Sequence, residues 1–250
     1  MIFNRVLIWH ENCKIVDVGV SIIYTYFYFM KNIFILLFLA FTTWSNAQII
    51  NIPDINFKNR LLNCASCAVH EDGANGADKN KDGEIQQSEA ESIVKLFLPN
   101  SNIISLEGIE AFINLKDLNC QSNKIVSINL SSNGKLKTLN VVSNTLTSID
   151  VSKQIQLDSF LCDFNKITNL DISLNPVLRY LRCSNSDLTS IRFNTFLKSL
   201  TCNNTKVSDL TDMPSTIQNL NLLGNKLTKL DLKNFSDLTY LNAEKNLITN

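Results

Sequence analysis

Leu115-Lys-Asp-Leu118-Asn-Cys120-Gln-Ser-Asn123-Lys-Ile125-Val-Ser-Ile128-Asn-Leu130 is the stretch that decides the fold. Its skeleton returns as Leu136, Leu139, Val141, Asn144, Leu146, Ile149 and Val151. It returns again as Leu157, Phe160, Cys162, Asn165, Ile167, Leu170 and Ile172. Apolar residues recurring in phase at this period predict a solenoid, in which neighbouring units bury each other's apolar side.

Counted from its first apolar position, each unit starts at Ile93, Leu115, Leu136, Leu157, Leu178, Leu197, Ile217 or Leu238. The steps are 22, 21, 21, 21, 19, 20 and 21 residues. The segment around the second Leu alternates in and out, as a strand does. Successive strands are expected to stack in parallel, roughly 4.8 Å apart. Asn123, Asn144, Asn165, Asn225 and Asn246 form a column whose amides can bond open backbone groups of the adjoining turns. Ser186 and Thr205 fill that column in two units, and Ser101 in the first. The shortened units at Leu178 and Leu197 are read as trimmed loops on the convex side.

The skeleton L-x-x-L-x-L/C-x-x-N-x-L-x-x-L-x-L resembles the leucine-rich repeat, in the short form of bacterial internalin-like surface proteins. The resemblance covers residues 93–250, as eight repeats with the last one cut short. It implies a strand-dominated α/β-type solenoid of parallel stacked strands, an exported bacterial protein, and a protein-binding concave face.

The start of the chain predicts export. Lys31 is a charged leader region, Ile33 to Phe41 an uninterrupted apolar run, and Ser45-Asn-Ala47 a small-x-small cleavage site. Residues 30–47 therefore read as a signal peptide, and 1–29 as a doubtful upstream extension. The nine-residue apolar run is too short to span a bilayer, which needs about 20 residues. A longer membrane segment, from about Val18 to Phe41, would hold Lys31 near its centre at about 2.5–3.5 kcal/mol. Cleavage would leave a chain of 20 basic and 21 acidic residues, a net of about −1. That balance carries no basic footprint for nucleic acid, and no membrane span is expected in the mature chain.

Residues 48–92 are expected to form a helical N-terminal cap. Asp54 can cap a helix that turns Phe57, Leu61 and Leu62 to one side. Asp78-Lys-Asn80-Lys-Asp82-Gly83-Glu84-Ile85-Gln86-Gln-Ser-Glu89 matches the EF-hand loop formula at every fixed position. Asp78, Asn80 and Asp82 supply side-chain oxygens, Glu84 its backbone carbonyl, and Gln86 a position where water often intervenes. Glu89 closes the shell with two oxygens, and Gly83 makes the sharp turn. The expected cofactor is a structural calcium ion that rigidifies the cap. A polar loop without metal is the plainer alternative.

Of seven cysteines, Cys120, Cys162, Cys183 and Cys202 occupy one apolar column and read as buried free thiols. Cys64 and Cys67 lie outside the array, where a local disulfide is expected in an exported protein. Cys13 belongs to the doubtful upstream extension.

Most outward strand positions are small and polar. Leu161, Phe164, Tyr180 and Arg182 are the exception, and exposed aromatic and Arg residues together predict a contact hot spot. No nucleophile elbow, phosphate loop or zincin motif is present, so no catalytic site is expected. The reading is a non-catalytic binding module for a protein ligand or a glycan. The alternatives are a targeting or adhesion region of a larger secreted enzyme, and a self-associating surface-layer component.

Overall fold

The computed structural model describes residues 30, 31 and 48–249. The expected upstream extension and nearly all of the expected signal peptide lie outside the described residues. Among the described residues, no helix is long and apolar enough to cross a membrane.

The chain from Ile49 onward begins with a cap. Helix α1 (Ile55–Asn63) is set by Asp54, whose Oδ1 accepts the N–H groups of Asn56 and Phe57, both at 2.9 Å. The other carboxylate oxygen accepts Ile104 N–H at 2.7 Å and Ser105 N–H at 2.9 Å, tying the helix start to the first repeat. Phe57 and Leu61 are buried and Leu62 is half-buried. The Phe57 ring packs against Phe112, with centroids 6.5 Å apart. Strand β1 (Ala68–His70), the six-residue helix α2 (Gln87–Ser92) and β2 (Ile93–Phe97) complete the cap. β1 pairs antiparallel with β2, and so covers the open edge of the sheet that follows.

The array then delivers one short strand per repeat: β3 (Asp117–Asn119), β4 (Thr138–Asn140) and β5 (Ser159–Leu161). On the far side of the coil, β6 (Asn169–Asp171) precedes β7 (Tyr180–Arg182), and β8 (Ser190–Arg192) precedes β9 (Ser199–Thr201). The series closes with β10 (Asn219–Asn221) and β11 (Tyr240–Asn242). The main sheet has nine strands in the order β1-β2-β3-β4-β5-β7-β9-β10-β11, parallel from β2 onward. β6 and β8 form a separate two-stranded parallel sheet that the sequence reading did not foresee.

In β3, β4, β5, β7, β9 and β10 the middle residue points inward, as Leu96 does in β2. Leu96, Leu118, Leu139, Phe160, Leu181, Leu200 and Leu220 stack as one buried column. Cys120, Cys162, Cys183 and Cys202 are buried free thiols beside it. Burial pushes the Cys120 thiol up to about 12 and holds Cys162 well above its ordinary value.

Each turn after a strand passes through one left-handed residue: Asn100, Ser122, Ser143, Phe164, Asn185, Asn204, Gly224 and Lys245, all with φ between 50° and 72°. The next residue is the expected polar column. Asn144 donates to the carbonyls of Cys120 and Val141, both at 3.0 Å, and accepts Ile125 N–H at 3.0 Å. Asn123, Asn165, Asn225 and Asn246 repeat the pattern. Each amide thus satisfies carbonyls of two successive repeats, which a side chain without hydrogen-bonding groups would leave bare.

A second buried amide column runs along the opposite corner. Asn133 donates to Ile109 and Phe112 carbonyls, Gln154 to Leu130, Asn175 to Val151 and Gln154, and Asn194 to Asn175 and Leu178. The shortened repeats keep the main sheet in register, since Tyr180 pairs with Ser199 and Ser199 with Asn219. The loss falls outside the strands, where Phe193 runs directly into Asn194 while the preceding repeat has Ser173 and Leu174 between Ile172 and Asn175. Asn194 still reaches its column.

Candidate functional site

The loop from Asp78 to Glu89 is folded on its own polar groups. Asp78 accepts Lys81 N–H at 2.6 Å and Gly83 N–H at 3.0 Å. Asn80 Oδ1 accepts Asp82 N–H, and Asp82 Oδ1 accepts Glu84 N–H. The Glu84 N–H holds the Asp82 carboxyl below its ordinary range. Lys81 and Gly83 both take positive φ, 60° and 84°, which turns the chain sharply at the position the loop formula reserves for glycine.

The side chains of Asn80, Asp82 and Gln86 meet. Asn80 donates to Asp82 at 2.9 Å and Gln86 at 3.0 Å, and Gln86 donates to Asp82 at 2.7 Å. Glu89 reaches back from α2, and its oxygens accept N–H groups of Lys79, Asn80 and Gln86. The Glu84 carboxylate turns away to Lys58 on α1, at 2.6 Å. Ile85 is buried in the core, and its carbonyl accepts Ile50 N–H at 2.8 Å. Among the described residues, no three His, Cys, Asp or Glu side chains gather into a metal-binding cluster. The donor set of this loop is instead mixed: three carboxylates, two amides and a backbone carbonyl. Such hard oxygens fit calcium rather than a softer metal.

His70 is a contributor the sequence reading missed. It is buried, with Nε2 donating to the Gly76 carbonyl at 2.5 Å and Nδ1 paired with Ser92 Oγ at 2.6 Å. Ser92 Oγ also lies 2.7 Å from the Glu89 carbonyl. One imidazole therefore ties together the segments that enter and leave the loop. The signal available in the sequence was the lone histidine between the C-x-x-C pair and the loop.

Cys64 and Cys67 do not form the expected disulfide; both are free thiols. Cys67 is buried and donates to the Arg60 carbonyl at 3.2 Å and the Cys64 carbonyl at 3.3 Å, so its sulfur faces the end of α1. Burial pushes the Cys67 thiol up to about 12. Burial also opposes ionisation of Cys64. The Cys67 thiol, the Ser66 N–H and the Arg60 charge together outweigh it and leave Cys64 below its ordinary value.

The concave face is written by two outward columns. Lys95, Asp117, Thr138, Ser159, Tyr180, Ser199, Asn219 and Tyr240 pair in series, and Phe97, Asn119, Asn140, Leu161, Arg182, Thr201, Asn221 and Asn242 do the same. Leu161 is the direct partner of Arg182 across β5 and β7, with Tyr180 two residues before Arg182 on the same face of β7. Phe164 stands free at 55% exposure, and Tyr180 at 47%. A bulky aromatic in the left-handed region is uncommon, and in this column Ser, Asn, Lys and Gly do the same work without offering apolar surface. Arg182 lies 3.3 Å from Asp163, a carboxylate only 1% exposed. Asp163 also accepts Ser184 N–H at 2.9 Å. The Arg179 guanidinium sits 5.6 Å over the Tyr180 ring. Leu161, Tyr180 and Arg182 are thus neighbours on adjacent strands, and Phe164 rises from the turn that follows β5. Asp163 and Arg179, which fix this group, were not foreseen, and neither was Phe97 at the cap end of the same face.

No protein-family model and no curated protein matches the chain. Solved structures do. The chain is similar to the functional domain of InlJ from Listeria monocytogenes, which includes a cysteine ladder. The identity is 30%, over 81% of this chain and 48% of that one, with a TM-score of 0.60. The chain spans about half the length of that neighbour. It is also similar to a leucine-rich repeat protein of Leptospira interrogans, at 20% identity over 64% of this chain and 51% of the other, with a TM-score of 0.52. An internalin of Listeria monocytogenes aligns at 24% identity over 80% of this chain and 71% of its own, with a TM-score of 0.45. Stacked parallel strands, one per repeat, with apolar and asparagine columns in phase, agree with the first two of these neighbours: the chain folds as a strand-dominated leucine-rich repeat solenoid.

Proposed function

We propose that this is a non-catalytic, exported bacterial module that binds a protein ligand through its concave face. The observation that carries the reading is the group Leu161, Phe164, Tyr180 and Arg182. It places two exposed aromatic rings and an anchored guanidinium together on adjacent repeats, whereas the other exposed aromatics of this face, Phe97 and Tyr240, stand singly towards its two ends. Internalin-like neighbours and the leader-like residues 30–47 support export to the cell surface or beyond. Cys120, Cys162, Cys183 and Cys202 would be the counterpart of the InlJ cysteine ladder.

In this reading a calcium ion is held by Asp78, Asn80, Asp82, Glu84, Gln86 and Glu89. It supplies charge neutralisation for three carboxylates and cross-links the cap, a structural role rather than a signalling one.

The test of the binding face is an array of purified extracellular proteins probed with the wild-type chain and with Phe164→Ala, Arg182→Glu. Ligands captured by the wild type and lost at least tenfold in the variant support the reading. Ligands held equally by both would sink it.

A further inference from the structure

We infer that the edge of the main sheet where its strands begin carries a second docking site, for an extended acidic peptide with an apolar side chain between two acidic ones. An open cleft of about 920 Å³ runs along this edge, lined by residues from Asp117 to Thr216. Its walls come from the residues just ahead of the strands. Lys137 precedes β4, Arg179 precedes β7 and Lys198 precedes β9. Val177, in the turn before β7, lines it between Lys137 and Lys198, Phe196 lines it in the turn that carries Lys198, and both remain about half exposed.

Charge selects the occupant. The cleft holds two carboxylates, Asp117 and Asp158, and both are already engaged. Asp117 is bridged by Lys95 at 3.0 Å and Asp158 by Arg179 at 2.5 Å. Lys137 and Lys198 are exposed and make no ion pair among the described residues. The cleft therefore offers two free ammonium groups flanking exposed apolar surface. A neutral or basic peptide would leave both unsatisfied by any carboxylate, whereas an acidic one pairs them.

The spacing gives the occupant its pattern. β4, β5, β7 and β9 are consecutive neighbours in the sheet. Lys137 and Lys198 are thus three strand spacings apart, roughly 14 Å at about 4.8 Å each. An extended chain advances about 3.3 Å per residue, so that distance takes about four residues. Acidic residues at i and i+4 of an extended peptide point to the same side. The residue at i+2 shares that side and would lie nearest Val177, whose turn precedes β7 between the two lysines. Arg179 borders both this cleft and the concave group, but Lys137 and Lys198 belong to the cleft alone, so the two readings fail separately.

The experiment is fluorescence anisotropy of the full chain with labelled Gly-Glu-Ala-Phe-Ala-Glu-Gly. The same peptide with both Glu replaced by Gln is the comparison. The acidic peptide should bind at least tenfold more tightly than the neutral one. Its affinity should fall with added salt, and drop at least tenfold in the Lys137→Glu, Lys198→Glu variant, whose thermal unfolding checks that the fold is intact. Equal binding of the two peptides, or an unchanged affinity in a folded variant, overturns the proposal. Binding of a sulfated oligosaccharide through the same two lysines, with no binding of the peptide, overturns it as well and reassigns the cleft to anionic glycans.

Discussion

Two side chains show how much single residues hold. Asp54 accepts four backbone N–H groups, two from its own helix and two from the first repeat. Burial opposes its ionisation, but the N–H groups of Phe57, Ser105, Ile104 and Asn56 outweigh that, and its carboxyl sits below the ordinary range. Its contribution to stability is therefore present above about pH 4, the unfolded value, and is lost as pH falls through the lower folded value. Asp54→Ala should lower stability by about 1–2 kcal/mol at pH 7. The gap between variant and wild type should narrow at pH 3 in thermal melts; a gap that widens there would contradict the assignment. Asn144 makes three buried hydrogen bonds at once. Asn144→Leu leaves two carbonyls and an N–H unsatisfied and should cost about 3 kcal/mol in urea unfolding, at about 1 kcal/mol or more for each bond lost. A cost under about 1 kcal/mol would mean that the turn finds other partners.

At the scale of elements, the cap and its loop carry the clearest consequences. Calcium should raise the unfolding temperature of the wild-type chain by several degrees and leave the Asp78→Ala, Glu89→Ala variant unmoved. Differential scanning calorimetry with and without a chelator reads this directly, and an unmoved wild type removes calcium from the cap. Gly108 takes φ of 99°, and a Cβ there would lie 2.8 Å from the Asn51 carbonyl and 3.0 Å from Ile52. Gly108→Ala should therefore push the strand-like segment at residues 50–52 off the first repeat. We expect a loss of about 2 kcal/mol or more, from strain and clash together. The repeat strands, the Asp54-capped helix and the first asparagine column were legible because each repeats, or obeys a local rule. The second amide column was not. Its members are Asn133, Gln154, Asn175 and Asn194, with Phe112 before them and Pro214 and Phe235 after them at the same position, so no single letter marks it. β6 and β8 escaped notice because only two repeats make them. The Cys64–Cys67 pairing was read from their place outside the array in an exported chain, which says nothing of where Cys67 Sγ points. Phe164 was legible as an unusual letter, and its exposure followed only from the left-handed turn.

The whole array behaves as a line of nearest-neighbour contacts, since each repeat touches the one before and the one after. The four column thiols report on it. In the native chain Cys64 is the half-buried thiol among the described residues, and it should react first with a thiol reagent. Cys120, Cys162, Cys183 and Cys202 should react together at the unfolding midpoint if the coil opens as one body, as read by mass spectrometry of labelled peptides. Labelling of Cys202 well before Cys120 would show instead that the array frays unit by unit.

The junction of Phe193 and Asn194, after β8 and before β9, has already lost two residues relative to the preceding repeat while the main-sheet strands kept step. A segment that tolerates deletion without disturbing registry on the opposite wall should also tolerate addition. That corner is where a fluorophore-bearing peptide, an affinity handle or a second folded module can be grafted while the concave face and the cleft stay intact. The repeat that breaks the period thus gives the molecule an attachment point.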